Sequence, residues 1–268
     1  MTDQYAVIGN PIAHSKSPQI HMLFAEQTGQ DINYETVLAP LDDFAATVER
    51  LREDGYKGCS VTVPFKFKAF ELSTKLSVRA QSAQAVNTLS LEGDSTTGDN
   101  TDGAGLVRDI EQNLGILLKD KRVLLMGAGG AAYGVVQPIF KACSHLSITN
   151  RTIEKAQRMV EPFDKEHMIS IFEYASLRNK SFDVVINATS TGLFDEMPPL
   201  PPSIFRLSAL AYDMMYGRET PFLKFSREHG AQVADGLGML VEQAAEAFNI
   251  WRGVRPDTAP VITALRAL

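Results

Sequence analysis

The chain has 268 residues, 44% of them hydrophobic and 22% charged, with a formal net charge of -6 and a sequence pI near 5.4. This is enough apolar material for a sizeable core in one or two domains, while the acidic balance and the lack of a basic cluster exclude a nucleic-acid surface. No apolar run reaches the roughly 20 residues of a membrane span, and Met1-Thr-Asp-Gln-Tyr5 lacks the basic flank and apolar core of a signal segment, so a soluble cytoplasmic small-molecule enzyme is expected.

Hydrophobic periodicity and turn residues predict alternating strands and helices. A strand is expected over 5–8, a helix over 18–27, a strand over 34–39 and an amphipathic helix over 41–53, ended near Gly55. Residues 60–63 read as a strand with a helix after Pro64, and 85–91 and 96–98 as short strands turned by Glu92-Gly-Asp94. A helix over 103–113 leads into a second series. There, strand 122–126 precedes a glycine-rich loop and helix 131–142, and strand 146–149 ends at Asn150-Arg151-Thr152. Strands over 182–186, 209–212 and 231–233 follow, with 198–202 as a proline-rich surface loop. The helices over 239–251 and 259–268 come after the nucleotide fold is complete and are expected to pack back on the first domain. The two cysteines, Cys59 and Cys143, each lie in apolar company and are expected as buried free thiols, with no disulfide and no metal site.

The glycine loop opens in mid-chain, so about half of the protein precedes its nucleotide site. Strand, tight turn and helix form the context in which such a loop binds a dinucleotide. Gly127 permits the turn, Gly129 and Gly130 admit a diphosphate, and Gly134 lets the helix lie close to the sheet. The helix start supplies unpaired N–H groups and partial positive charge. The end of the next strand normally carries an acidic residue for the ribose of NAD. Arg151 stands there instead, with Lys155 one turn on, and a guanidinium pairs with a 2′-phosphate. The cofactor expected is therefore NADP.

Three segments of the first half carry polar chemistry. In His14-Ser15-Lys16-Ser17-Pro18, Ser17 as N-cap and Pro18 as the first helical residue would converge N–H groups and two hydroxyls where a carboxylate binds. In Ser60-Val-Thr-Val-Pro-Phe-Lys66, Pro64 ends a buried strand and places Lys66 on the rim. Gly98-Asp-Asn-Thr-Asp102-Gly103 gathers polar residues ahead of a helix. Each also has a plainer reading: a helix cap, a solvated surface lysine, and a turn capped by Thr101 or Asp102.

Taken together, Gly9-Asn-Pro-Ile-Ala-His-Ser-Lys-Ser-Pro18, Val61-Thr-Val-Pro-Phe-Lys66, Ala85-Val-Asn-Thr88, Gly98-Asp-Asn-Thr-Asp-Gly103, Gly127-Ala-Gly-Gly130, Asn150-Arg-Thr152, Asn187-Ala-Thr-Ser190, Tyr212-Asp213-Met214 and Ala234-Asp-Gly-Leu-Gly-Met-Leu240 resemble shikimate dehydrogenase in order and approximate spacing. The resemblance runs from the start of the chain to its last helices. It implies a two-domain α/β protein: an α/β substrate domain formed by 1–103 with 238–268, and a Rossmann-type NADP domain over 104–237. The implied activity is the reversible reduction of 3-dehydroshikimate to shikimate by NADPH in chorismate and aromatic amino-acid biosynthesis.

Carried over by position, Ser15 and Ser17 would hold the substrate carboxylate with Tyr216, while Thr62, Asn87, Asp102 and Gln243 would bond the ring hydroxyls and carbonyl. Lys66 would transfer the proton, paired with Asp102. Gly127, Ala128, Gly129, Gly130, Ala131, Asn150, Arg151, Thr152, Lys155, Met214 and Gly236 would contact the cofactor. Tyr133 and Val78 depart from the family pattern beside that cofactor site. A shikimate/quinate dehydrogenase of broader range, or a non-catalytic metabolite sensor, stands as the alternative, and a monomer or homodimer is expected.

Overall fold

The computed structural model describes residues 2–164 and 166–267. Met1, at the start of the expected first domain, and Leu268, the expected end of the last helix, lie outside the described residues. The chain divides into two compact units: residues up to Gly105 together with those from Leu240 onward, and Leu106–Met239.

The first unit begins with β1 (Asp3–Gly9), α1 (Ser17–Thr28), β2 (Ile32–Leu38), α2 (Phe44–Glu53), β3 (Gly58–Val61) and α3 (Lys66–Leu72). It continues with β4 (Lys75–Leu76), α4 (Val78–Ala83), β5 (Thr88–Glu92), β6 (Ser95–Asp99) and the first turn of α5 (Asp102–Arg108); from Leu106 on, α5 and the π-helical turn that prolongs it over Asp109–Asn113 belong to the second unit. Its six-stranded sheet has the order β2-β1-β3-β5-β6-β4. The β1–β2 and β1–β3 pairs are parallel, whereas β3–β5 and β5–β6 are antiparallel. The hairpin at Glu92-Gly-Asp94 therefore lies where the turn residues put it, and the sheet, already mixed at the antiparallel β3–β5 pair, continues through it.

The second unit contains β7 (Arg122–Met126), α6 (Gly130–Ala142), β8 (His145–Thr149), α7 (Ile153–Val160), β9 (Ser170–Phe172), β10 (Phe182–Asn187), β11 (Phe205–Asp213), α8 (Pro221–Glu228) and β12 (Gln232–Asp235). All strands run parallel in the order β12-β11-β10-β7-β8-β9. That is the doubly wound dinucleotide-binding order, whose ligands sit beyond the carboxyl ends of the strands. Central β7 is buried on both faces, with Val123, Leu124, Leu125 and Met126 all at 0% exposure, which explains its unbroken apolar run. Each such side chain contributes about 1.5–3 kcal/mol on burial.

Two helices close the chain, α9 (Leu237–Arg252) and α10 (Ala259–Arg266). From Leu240 onward they belong to the first unit. Trp251 anchors α9 there, its indole N–H donating to the Leu89 carbonyl at 3.1 Å and its ring 4.8 Å from Tyr5. Among the described residues no helix is long and apolar enough to cross a membrane.

The structure corrects several sequence expectations. The helix expected over 41–53 starts only at Phe44, and the strand expected over 60–63 is Gly58–Val61. The proline-rich segment 198–202 is not wholly a surface loop, because Leu200 packs into the core with Leu124, Phe182 and Ile204. Cys143 is half-buried, unlike buried Cys59. Burial pushes the Cys59 thiol up to about 12 and the Cys143 thiol up to about 11, so both stay protonated and unreactive. Elements β4, α4 and β9 are too short to show a period, and the amphipathic α8, with Phe222 and Leu223 buried, is a further element beyond the sequence expectations.

Candidate active site

In the first unit, polar residues gather beyond the carboxyl ends of β1 and β3 and at the start of α5. After β3, the Thr62 N–H still donates to Ile8 O at 2.9 Å, and the chain turns back so that Phe65 N–H reaches Thr62 O at 2.9 Å. Lys66 thus becomes the first residue of α3. Its ammonium donates to Oδ2 of Asp102 at 2.5 Å, and the two side chains are only 13% and 5% exposed. Removing one partner of such a desolvated, charge-assisted contact leaves an uncompensated buried charge, which costs more than losing a surface ion pair.

The second oxygen of Asp102 accepts from the Asn87 amide at 2.9 Å. Asn87 donates also to Thr101 Oγ1 at 2.8 Å and, at 3.2 Å, to Oε1 of Gln243 on α9. Its own carbonyl oxygen accepts from the Thr101 backbone N–H at 2.9 Å and the Thr88 hydroxyl at 2.8 Å. These contacts fix which way the Asn87 amide points. Lys66, Asn87, Asp102 and Gln243 therefore form one hydrogen-bonded cluster. Thr101, fully buried, is a member that the sequence reading considered only as a helix cap.

Ser15 and Thr62 stand on the adjoining loops, and Ser17 is the first residue of α1. Asn10 ties these loops together, its backbone N–H donating to Val63 O at 3.0 Å and its side-chain amide to Ala39 O at 2.8 Å. Ser17 is not the N-cap of α1. The helix begins at Ser17, Lys16 is its cap residue, and the Ser17 N–H donates to Ser15 Oγ at 3.3 Å. The short Ser15 hydroxyl satisfies an N–H two residues on, which starts the helix one residue early.

In the second unit, Gly127 ends β7 with φ +112°, and a Cβ there would stand 2.9 Å from the Ala188 carbonyl oxygen. Only glycine makes this turn without strain. Ala128 follows, and Gly129 caps α6 with no side-chain acceptor. The N–H groups of Gly130 and Ala131 in the first helical turn thus remain without intrahelical partners. At the end of β8, the Asn150 side chain donates to Thr152 O at 2.7 Å, while Arg151, Thr152 and Lys155 are exposed. Arg151 lies near Tyr174, whose phenol burial pushes up to about 12 against the opposing pull of that guanidinium. A glycine turn, an uncapped helix start and two exposed cations on the next strand's end fit a dinucleotide with a 2′-phosphate.

A second buried network was not anticipated. Asp213 accepts from Thr220 Oγ1 at 2.5 Å, from the Met215 N–H at 3.0 Å and from the Asn187 amide at 3.2 Å. Burial raises its pKa, while those three donors act in the opposite direction. The network holds the segment bearing Met214 and Tyr216, both half-buried, and the Gly236 N–H donates to Met215 O at 2.8 Å. Of the two departures, Tyr133 is half-buried against the core on α6, and Val78 is exposed at the start of α4. Among the described residues no group of three or more His, Cys, Asp or Glu could hold a metal ion.

The parallel sheet with its glycine turn, and the separate lysine–carboxylate cluster, define a dinucleotide-dependent oxidoreductase. Family models agree: "Shikimate dehydrogenase substrate binding domain" matches residues 7–89, "Shikimate / quinate 5-dehydrogenase" 109–194 and "Shikimate 5'-dehydrogenase C-terminal domain" 236–266. The shikimate dehydrogenase (NADP(+)) of Methylobacillus flagellatus is 59% identical over 270 residues, covering 99% of each chain. A solved Ael1 enzyme from Pseudomonas putida is 49% identical with a TM-score of 0.92, covering 98% of each chain. The Thermus thermophilus shikimate 5-dehydrogenase solved with NADP(H) and shikimate is 31% identical with a TM-score of 0.88, covering 99% of each chain. The chain belongs to the shikimate dehydrogenase family of NADP-dependent oxidoreductases.

Proposed function

We propose that this protein reduces 3-dehydroshikimate to shikimate reversibly, with Lys66 as the proton-transfer residue and Asp102 as its partner. The observation that carries the reading is the 2.5 Å contact between Lys66 Nζ and Asp102 Oδ2, joined through Asn87 to Gln243. NADPH, when bound, supplies the hydride. As a ketone is reduced, negative charge develops on its oxygen, and the Lys66 ammonium donates a proton there, a contribution of about 10²- to 10⁴-fold for a positioned acid. Asp102 stabilises the ammonium, and in the oxidative direction the amine takes the proton back from the substrate hydroxyl.

On this reading Ser15, Ser17 and Tyr216 hold the carboxylate, and Thr62, Asn87, Asp102 and Gln243 bond the ring oxygens. Residues 1–103 with 238–268 serve as the substrate domain and 104–237 as the NADP domain. Arg151 and Lys155 receive the 2′-phosphate, next to contacts from Gly127 to Ala131, Asn150, Thr152, Met214 and Gly236.

Initial rates with shikimate or quinate against NADP or NAD, four assays on the purified protein, test the proposal. Shikimate with NADP is expected to dominate. Comparable rates with quinate would make it a broader shikimate/quinate dehydrogenase, since an extra ring hydroxyl must then be accommodated. No turnover in any assay would make it a sensor.

A further inference from the structure

A chain of alternating charges runs through the first unit away from the catalytic cluster, and its members touch both sides of that cluster. On one side is the seat of Asp102. Oδ1 of Asp99 accepts from the Asn100 N–H at 2.7 Å, and the Asn100 side chain in turn donates to Ala85 O at 2.9 Å and accepts from the Asp102 N–H at 3.1 Å. On the other side is α9, where Glu242 and Glu246 bracket Gln243. Arg255 donates to both, at 2.8 Å to Glu242 and 2.5 Å to Glu246, and Thr258 donates to Glu242 at 2.6 Å.

One guanidinium joins the two sides. Arg79 on α4 grips Asp99 with a fork, Nε to Oδ1 at 2.6 Å and Nη2 to Oδ2 at 3.1 Å, and its remaining nitrogen donates to Glu246 at 2.7 Å. Ser77 Oγ supports the same Asp99 oxygen at 2.6 Å. Arg79 is 35% exposed, so its pairs are partly screened and contribute little to stability. Their effect is geometric: a planar fork sets orientation as well as distance. Gln243 joins the cluster through its longer contacts, 3.2 Å from the Asn87 amide and 3.4 Å from Thr101 Oγ1, so small shifts of α9 act on Gln243 before they act on the Lys66–Asp102 pair.

We propose that Arg79 is a positioning residue for the substrate site, holding Gln243 and Asp102 in a common register by binding Glu246 and Asp99 at once. This rests on the reading above that Gln243 and Asp102 contact the substrate. It predicts that losing the bridge weakens shikimate binding and leaves the cofactor alone.

The test is steady-state kinetics of the full-length Arg79→Met and Arg79→Lys variants, with thermal unfolding as the check on folding. Arg79→Met is expected to raise the KM for shikimate about tenfold, the loss of roughly one hydrogen bond, with the KM for NADP within about twofold of wild type and kcat changed less than KM. Arg79→Lys, which keeps the charge without the fork, should fall between. In a Gln243→Ala background, Arg79→Met should add less than about twofold, because the two act on one contact. An unchanged shikimate KM in a folded Arg79→Met variant, an equal rise in the KM for NADP, or the full tenfold effect on top of Gln243→Ala overturns the inference. If Arg79→Met does not fold, the isosteric Glu246→Gln carries the same expectations. If Gln243→Ala alone behaves as wild type toward shikimate, the underlying substrate-site reading fails first.

Discussion

The Lys66 ammonium lies 2.5 Å from one oxygen of Asp102, whose other oxygen is held by Asn87 at 2.9 Å. The carboxylate is thus fixed at both ends, and the lysine it faces has little freedom to wander. Lys66→Ala removes the proton donor without touching Asn87 or Gln243. Turnover is expected to fall at least about 100-fold with the KM for shikimate near wild type. Asp102→Asn keeps the shape and loses the charge that stabilises the ammonium, so it should also be slowed. Wild-type turnover in Lys66→Ala would remove that residue from the mechanism.

Arg151 is exposed where β8 ends, with Lys155 one turn on. If the guanidinium receives a 2′-phosphate, Arg151→Ala forfeits a charge-assisted bond of about 1.5–3 kcal/mol. The KM for NADP should rise at least about tenfold while that for NAD is unchanged. Measuring both cofactors on the same preparation checks this, and an unaltered NADP-to-NAD preference would show that the phosphate is held elsewhere.

The glycine loop separates a folding role from a binding role. A methyl group at Gly127 would meet the Ala188 carbonyl at 2.9 Å with φ at +112°, whereas at Gly129 it would meet nothing within 4 Å. Gly127→Ala should therefore lower thermal stability, by about 1–3 kcal/mol for the strained backbone alone. Gly129→Ala should unfold like wild type yet bind NADP more weakly, since its methyl stands at the start of α6. Equal loss of stability in both variants would contradict this division.

The sequence disclosed those parts of the molecule whose physics is local. The apolar run 122–126 followed by Gly127 specifies a buried strand and a turn that other residues make poorly, and Arg151 announces its charge wherever the strand ends. Lys66 and Asp102 stand 36 residues apart, and periodicity alone could not join them; the family resemblance did. What stayed hidden depends on long-range partners. Asp213, Asn187 and Thr220 read separately as ordinary polar residues; the parallel β10–β11 register sets Asn187 beside Asp213, and Thr220 reaches the same carboxylate from the N-cap of α8. Arg79 looks like an ordinary surface cation until β6 and α9 each set a carboxylate beside it. Ser17 is helical rather than a cap because its N–H turns back to the Ser15 hydroxyl and Lys16 takes the cap position, a choice between adjoining short polar residues that composition does not resolve.

His21 is fully buried on α1, its ring stacked on Tyr34 at 4.1 Å and 4°, with Trp251 at 5.5 Å. Neither ring nitrogen has a hydrogen-bond partner among the described residues. Burial lowers its pKa from 6.5 to about 3, so the folded protein keeps the ring neutral where the unfolded chain takes up a proton. The sign follows directly. This contribution is intact above pH 6.5 and is lost as pH falls from there towards about 3, by up to roughly 1.4 kcal/mol per pH unit. Between pH 7.5 and 5 that amounts to about 2 kcal/mol. His21→Phe keeps an aromatic ring in the stack and removes the titration. Urea unfolding of both proteins at the two pH values should show the variant losing about 2 kcal/mol less than wild type. Parallel losses would mean that the ring takes up a proton in the folded state as readily as in the unfolded chain.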